Sequence, residues 1–148
     1  MPVTVIHTPP RGPQLLIADA IKSARIAVRV MMQQISNPVL AAELITAHRR
    51  GASVSVVLDS DGARLPNSLA AALHDAGVPV ALDSYHDNMT LNCVIIDGRL
   101  LFCGSYNWTL AAEHADASTL VQIDDPVAVA QAAMQFGTHL AHSGAWVA

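Results

Sequence analysis

A short segment in the second half of the chain holds polar residues whose types suit binding of a phosphate group. An apolar run ends at Asp97, six residues separate Asp97 from Gly104, and Gly104-Ser105 is followed closely by Asn107. Hydroxyl and amide side chains at the start of a helix can donate hydrogen bonds to an anion, beside the backbone N–H groups of the turn. The same residue types also cap a strand-to-helix turn, and the two roles are compatible. The residue types at Gly104, Ser105 and Asn107 are therefore compatible with an anion contact, with a structural cap, or with both.

This segment resembles the signature of the phospholipase D superfamily, H-x-K-x-x-x-x-D followed by G-[GS]-x-N. The apolar run that ends at Asp97, the Gly104-Ser105 pair and Asn107 match the signature without a gap. The predicted elements of the first half also fall where the short single-motif bacterial endonucleases of that superfamily have theirs. The resemblance implies a phospholipase D-like α/β fold, with a mixed β-sheet and helices on both faces.

Three positions depart from the pattern of the family. Counting back from Asp97, the histidine of the signature falls on Thr90 and the lysine on Asn92, and a glutamate that orients the histidine falls near Ser118. In the family, the histidine attacks phosphorus, a second histidine protonates the leaving group, and the lysine and asparagine hold the phosphoryl oxygens. Threonine without an adjacent base is a weak nucleophile, and asparagine is a neutral donor. Loss of a covalent nucleophile costs about 10⁴–10⁶ in rate, so we expect a catalytically inactive relative.

His86 is the alternative nucleophile. It lies four residues before Thr90, and four residues can span up to about 13 Å. The second hypothesis is therefore a divergent, metal-independent phosphodiesterase, of the nuclease or phospholipase type, that uses His86 rather than leaving it as a solvated loop residue. A nucleic-acid-binding regulator is the third hypothesis. It is disfavoured because 12 acidic residues outnumber 8 lysines and arginines.

Two groups of residues could bind a metal ion. Residues 59–62 (Asp-Ser-Asp-Gly) resemble the start of a calcium loop, but Ala70 stands where a bidentate glutamate is needed. A polar strand-to-helix turn is favoured. His139 and His142 lie at i, i+3 on a predicted helix, and no third ligand stands at a suitable spacing. We therefore expect structural or surface histidines, no metal site and no cofactor.

Other polar residues have simpler interpretations. Ser105 lacks the second glycine of a hydrolase nucleophile elbow, so acyl transfer is disfavoured. Arg49 and Arg50 could bind phosphates of a nucleic acid, but cations are expected at the end of a helix without any ligand. Trp108 is predicted to anchor the core or an interface.

Alternating strands and helices are predicted to position these residues. Asn37 caps a helix that has Pro38 at its first position and ends before Gly51. The predicted strands span residues 3–7, 25–31, 53–58, 78–82, 91–96, 99–103 and 119–123, and the predicted helices span 13–23, 38–50, 65–76, 109–114 and a long segment from 126.

The two cysteines flank a predicted hairpin turn at Asp97-Gly98. The hairpin register puts Cys93 opposite Phe102 and turns Cys103 to the other face. This arrangement predicts two free, buried thiols and a reducing compartment, which we take to be the cytoplasm.

Composition bounds the class of protein. The chain has 148 residues, of which 52% are apolar and 14% charged, so residues 1–148 are expected to form a single folded domain. No uncharged run is long enough to span a membrane, and no signal peptide is predicted. A superfamily site uses two copies of the motif. The resemblance therefore implies a homodimer through the motif face, or pairing with an intact relative, and the low charged fraction suits a buried interface. The partner of the cleft would be a phosphate-bearing ligand or a protein.

Overall fold

The computed structural model describes residues 3–8 and 13–147, which form one eight-stranded β-sheet with helices packed against it. Residues 1–2, 9–12 and 148 lie outside the described ones; they include Gly12, which directly precedes the helix predicted over 13–23. The strands are β1 (Val3–Thr8), β2 (Ala27–Met32), β3 (Ser53–Asp59), β4 (Val80–Asp83), β5 (Cys93–Ile96), β6 (Leu100–Gly104), β7 (Ser118–Ile123) and β8 (Gly144–Ala145). The helices are α1 (Gln14–Ser23), α2 (Pro38–Arg49), α3 (Ser60–Ala63), α4 (Ala70–Asp75), α5 (Leu110–His114) and α6 (Pro126–His142).

The sheet is mixed, as predicted. Its strand order is β1-β7-β6-β5-β2-β3-β4-β8. Strands β2, β3 and β4 are parallel to one another, and the remaining pairs are antiparallel. The carboxyl ends of β2, β3 and β4 therefore meet at one edge, which is where ligands bind in parallel sheets of this type.

Both faces of the sheet are buried, because helices cover each of them. Along β2, Val30 belongs to the larger apolar cluster under α1, α2 and α4, whereas Met31 belongs to the smaller cluster under α6. Val94 and Ile95 of β5 alternate in the same way. This two-sided burial confirms the α/β class. Among the described residues, no helix combines the length and apolarity needed to cross a bilayer.

Polar contacts at the helix ends follow the sequence signals. The side chain of Asn37 accepts hydrogen bonds from the N–H groups of Val39 and Leu40, with Pro38 at the first position of α2. Arg50, just after α2, donates to the carbonyls of Ile21 and Ala24 at 2.9 and 3.0 Å. Arg50 thus caps the end of α1, which supports the structural interpretation of this cation.

The predicted elements differ most from the structure in two segments. The helix predicted over 65–76 is confined to α4, and residues 64–69 lie outside any helix. The short helix α3 was not predicted; it begins after Asp59, whose buried carboxylate accepts from the N–H of Gly62 at 2.9 Å. Residues 91–92, predicted as strand, lie in the loop before β5.

The predicted register of the cysteine hairpin is wrong. Cys93 pairs directly with Cys103 rather than with Phe102, because the turn contains three residues between Ile96 and Leu100. The two thiols are free and half-buried, and their residues stand directly opposite each other. The neighbouring thiol of Cys93 lowers the pKa of Cys103, although partial burial opposes the shift. Because Cys93 and Cys103 stand directly opposite each other, the predicted divergence of their side chains no longer supports a reducing compartment. The cytoplasmic location therefore stays a prediction.

Candidate functional site

A cleft of about 230 Å³ opens at the carboxyl ends of β2 and β3, and one residue of the signature lines it. That residue is Asn107, in the turn between β6 and α5. The side chains around it come from the ends of β2 and β3, from α3 and from the loop before β5. The lining residues are Gln33, Gln34, Asp59, Asp61, Gly62, Leu65, Asn88 and Asn107.

Trp108 fixes the turn that carries Asn107. Its side chain is buried, and its carbonyl accepts from the N–H groups of Ser36 and Asn37 at 2.8 and 2.9 Å. The side-chain oxygen of Asn107 accepts from the N–H of Trp108 at 3.2 Å. The turn is thereby attached to the start of α2, and Trp108 serves as a core anchor.

Gly104 and Ser105 hold β7 in place. The hydroxyl oxygen of Ser105 accepts from the N–H of Thr119 at 2.9 Å, and the N–H of Tyr106 donates to the carbonyl of Thr119 at 3.2 Å. Gly104 has a φ of 141°, and a Cβ at this position would lie 2.2 Å from that same carbonyl oxygen. These signature residues therefore have a structural role at the sheet edge, whether or not they also contact a phosphate.

Thr90 and Asn92 do not share a strand face as the spacing predicted, because β5 begins only at Cys93. Thr90 is exposed. The side-chain oxygen of Asn92 accepts from the N–H of Gln33 at 3.2 Å and so attaches this loop to the end of β2. Asp59 holds the same loop through a 2.9 Å bond from the N–H of Met89.

Asp59 is a positioning residue that the sequence reasoning missed. Its two carboxylate oxygens bind α3 and the motif loop separately. The sequence signal for this role was an aspartate at the end of a buried strand. The resemblance of residues 59–62 to a calcium loop considered Asp59 only as a metal ligand.

Ser118 stands where the family has its glutamate, and its partner is Thr8. The two hydroxyl oxygens are 2.9 Å apart, and the N–H of Ser118 also donates to the Thr8 hydroxyl at 3.1 Å. Thr8 is buried. The Ser118 side chain therefore joins β7 to β1, and it is not placed to orient a base.

Asp97 lies at the other end of β5, about 16 Å of strand away from Asn92. Its carboxylate accepts from the N–H groups of Arg25, Ile26 and Ala27 at 2.7–3.2 Å. Burial alone would raise its pKa, but these backbone donors lower the pKa below the ordinary range. Asp97 thus organises the hairpin turn and the start of β2, far from the cleft.

His86 belongs to a cluster at the carboxyl end of β4, on the same edge of the sheet as the cleft. Three ring nitrogens lie close to one oxygen, Oδ2 of Asp83: Nδ1 of His86 at 3.2 Å, Nδ1 of His139 at 3.0 Å and Nε2 of His142 at 3.1 Å. Burial would raise the pKa of Asp83, but the hydrogen bonds from the three histidines lower it well below the ordinary value. The Asp83 side chain itself is fully buried, and the three imidazoles surround its Oδ2 atom.

The prediction that His139 and His142 have no further ligand beside them is wrong, because the fold brings Asp83 and His86 to them. Asp83 and His139 are 56 residues apart in the sequence, so a motif defined by short spacings does not predict that they meet. A pair of i, i+3 motifs, Asp83-x-x-His86 and His139-x-x-His142, was the available signal.

Acidic residues dominate the edge that holds both the cleft and the cluster. A second depression of about 240 Å³ connects the cleft with the cluster. Asp59 and Asp61 line both the cleft and this depression, and Asp83, His86 and Asp87 line the depression on the side of the cluster. Among the described residues that line the first cleft, none is cationic. The signature of the family, in contrast, has a lysine for the phosphoryl oxygens at the position of Asn92.

The sheet order and the placement of the signature turn define a mixed α/β fold in which the turn of Asn107 lies at the carboxyl edge of the parallel strands. The chain belongs to the phospholipase D-like family, because residues 17–140 match the family described as "Cardiolipin synthase, PLD-like domain". It is 31% identical over 123 residues to a phospholipase D from Rickettsia bellii, covering 83% of this chain and 61% of that protein. It is also 31% identical over 130 residues to a mitochondrial cardiolipin hydrolase from Chlamydomonas reinhardtii, covering 88% of this chain and 57% of that protein. The chain thus spans about 60% of the length of these relatives.

Solved structures support the same placement. The phospholipase D family member Nuc from Salmonella typhimurium superposes with a TM-score of 0.91 and 26% identity, covering 99% of this chain and 98% of Nuc. NucT from Helicobacter pylori superposes with a TM-score of 0.88, covering 97% of this chain and 98% of NucT. Its 20% identity supports the fold alone.

Proposed function

We propose that this protein is a catalytically inactive phospholipase D-like protein that acts by binding. One observation carries the proposal: the three positions where the family has its catalytic residues hold Thr90, Asn92 and Ser118. Two of these side chains hold local structure, Asn92 through Gln33 and Ser118 through Thr8. None of the three can serve as a nucleophile of the family type or supply the missing cation.

The charge of the cleft favours a protein partner over a phosphate-bearing ligand. Asp59 and Asp61 line it, and the buried carboxylate of Asp59 is already bonded to two N–H groups. A phosphate bound near Asn107 would meet two carboxylates without a compensating lysine or arginine from the described lining. A cationic or neutral segment of a protein meets no such repulsion. A phosphate contact at Gly104, Ser105 and Asn107 is the second candidate, on the strength of the retained signature residues.

We further propose that two copies pair through the motif face. Leu65 lines the cleft, and Leu110 lies three residues beyond Asn107; they are 46% and 48% exposed. Pairing of this face would remove both side chains from water, which is worth roughly 1.5–3 kcal/mol for a fully buried leucine.

Replacing both leucines, Leu65→Asp with Leu110→Asp, is expected to convert a dimer into a monomer at micromolar concentration, as measured by sedimentation equilibrium. The matched control is Val127→Asp on α6, outside the motif face. Val127 is 66% exposed, so this substitution adds the same charge without touching the proposed interface. A native chain that sediments as a monomer at all accessible concentrations contradicts the pairing.

The test of inactivity is hydrolysis of a chromogenic phosphodiester with a chelator present. We expect no turnover above the uncatalysed rate, because the family nucleophile is absent. His86→Ala is assayed beside the native chain, since the alternative function uses His86 as the nucleophile. Turnover that is lost in His86→Ala would overturn the proposal and establish the divergent phosphodiesterase.

A further inference from the structure

The cluster at the end of β4 has the composition of a metal site. Asp83, His86, His139 and His142 each offer one ligand atom, and these four atoms lie within 4.8 Å of one another. Each ring nitrogen is 3.0–3.2 Å from Oδ2 of Asp83. These three nitrogen–oxygen distances are close to the spacing of about 3.3 Å between the ligand atoms of a tetrahedral ion with bonds near 2.0 Å.

The hydrogen bonds within the cluster exceed what the carboxylate can accept. Oδ1 of Asp83 already accepts from the N–H groups of Tyr85 and His86, at 3.0 and 3.3 Å. Oδ2 then faces three ring nitrogens, so that five donors would share about four lone-pair directions. A central cation removes this excess, because each imidazole can then direct a lone pair, rather than a proton, at the centre of the cluster.

The fold holds the ligands together without the help of an ion. Asp83 ends β4, and β8 pairs with β4 through Leu82↔Gly144 immediately after α6. The hydroxyl of Ser143 also donates to the carbonyl of His139 at 2.6 Å. The last turn of α6 is thus attached to the strand that carries the carboxylate, so that little ordering is left for binding to impose.

The surroundings favour a cation. The backbone N–H groups on Oδ1 orient the carboxylate so that Oδ2 points at the imidazoles, which is the usual task of groups just outside the ligands of a metal. The ring of Tyr85 stacks on His142, with centroids 4.7 Å apart and planes 23° apart. Asp59, Asp61 and Asp87 line the adjoining depression and make it electronegative.

We propose that Asp83, His86, His139 and His142 bind one divalent transition-metal ion of the zinc class, which joins the end of α6 to β4. Three imidazoles and one carboxylate are ligands that suit zinc, whereas calcium and magnesium require oxygen ligands. Four protein ligands fill a tetrahedral shell, so the site is structural rather than one with an open catalytic position. It is separate from the degenerate motif and does not depend on the proposed loss of catalysis.

The test is titration of the metal-stripped chain with Zn²⁺, followed by calorimetry and by metal analysis after gel filtration. We expect one Zn²⁺ per chain. Replacing a direct ligand in His142→Gln or His139→Gln should weaken binding by more than about 100-fold, since loss of groups just outside a metal shell already costs 10–100-fold. The control is His74→Gln, an exposed histidine on α4.

Co²⁺ provides a second measurement that does not depend on stability. The native chain should give the intense visible absorption of a tetrahedral Co²⁺ site, and His142→Gln should lose it while keeping the circular dichroism of the native fold. Absence of stoichiometric Zn²⁺, or binding that His142→Gln and His139→Gln leave as tight as His74→Gln does, overturns the proposal.

Discussion

Restoring the three family residues together, as Thr90→His, Asn92→Lys and Ser118→Glu, is expected to produce phosphodiester hydrolysis, whereas the proposed function expects none from the native chain. The histidine supplies a nucleophile and the lysine a charge for the phosphoryl oxygens. Both stand on the loop whose Asn88 lines the cleft that retains Asn107. A covalent nucleophile is worth about 10⁴–10⁶ in rate. The restored variant should therefore exceed a matched variant that carries Thr90→Ala with the same two other changes by at least about 10⁴-fold.

Two features of the structure limit the size of this gain. The Ser118 hydroxyl is bonded to Thr8, so the longer glutamate must leave that contact or displace β1 locally. The lysine at position 92 gives up the bond that Gln33 makes to Asn92. Hydrolysis of the chromogenic diester, with a chelator present, is the measurement. Equal rates in the restored and alanine-matched variants would show that the motif loop no longer presents position 90 to the cleft.

Much of the fold follows from local sequence signals. The alternation of Val30 and Met31 between two apolar clusters, and the cap at Asn37, are encoded by neighbours in the chain. These features were predictable because a strand with two buried faces and a capped helix each have a short-range signature. The helix predicted over 65–76 is observed only as α4, and the separate turn that the Asp59 carboxylate caps at Ser60 was not predicted.

The functional residues were less predictable, because their partners are distant in sequence. Asp97 matches the signature, yet its carboxylate binds the N–H groups of Arg25 to Ala27 rather than a ligand in the cleft. His139 and His142 became a four-residue cluster only when the pairing of β8 with β4 brought them to Asp83. Long-range pairing of this kind is set by packing of the whole sheet, which a spacing rule does not contain.

Gly104→Ala is expected to destabilise the fold by about 3 kcal/mol, through two costs that add. A φ of 141° is a conformation that L-residues rarely adopt, which costs about 1–2 kcal/mol. The new Cβ would also lie 2.2 Å from the carbonyl oxygen of Thr119 and 3.4 Å from Cα of Leu120, both of which are backbone. Moving that backbone breaks the hydrogen bonds that Ser105 and Tyr106 make to Thr119. Overpacking of this kind destabilises the fold by about 1–3 kcal/mol.

Two other glycines separate these costs, since each lacks one or both of them. Gly98 has a φ of 65° and nothing within 4 Å, so Gly98→Ala should lose only about 1 kcal/mol. Gly137 lies within α6 with open space around it, so Gly137→Ala should gain about 0.5–1 kcal/mol from helix propensity. Urea unfolding of the three variants gives the comparison. If Gly104→Ala lost no more free energy of unfolding than Gly98→Ala, the close approach of β6 to Thr119 would not constrain this position. The expected larger loss at Gly104 means that sheet geometry requires this signature glycine. Its presence therefore does not by itself indicate catalysis.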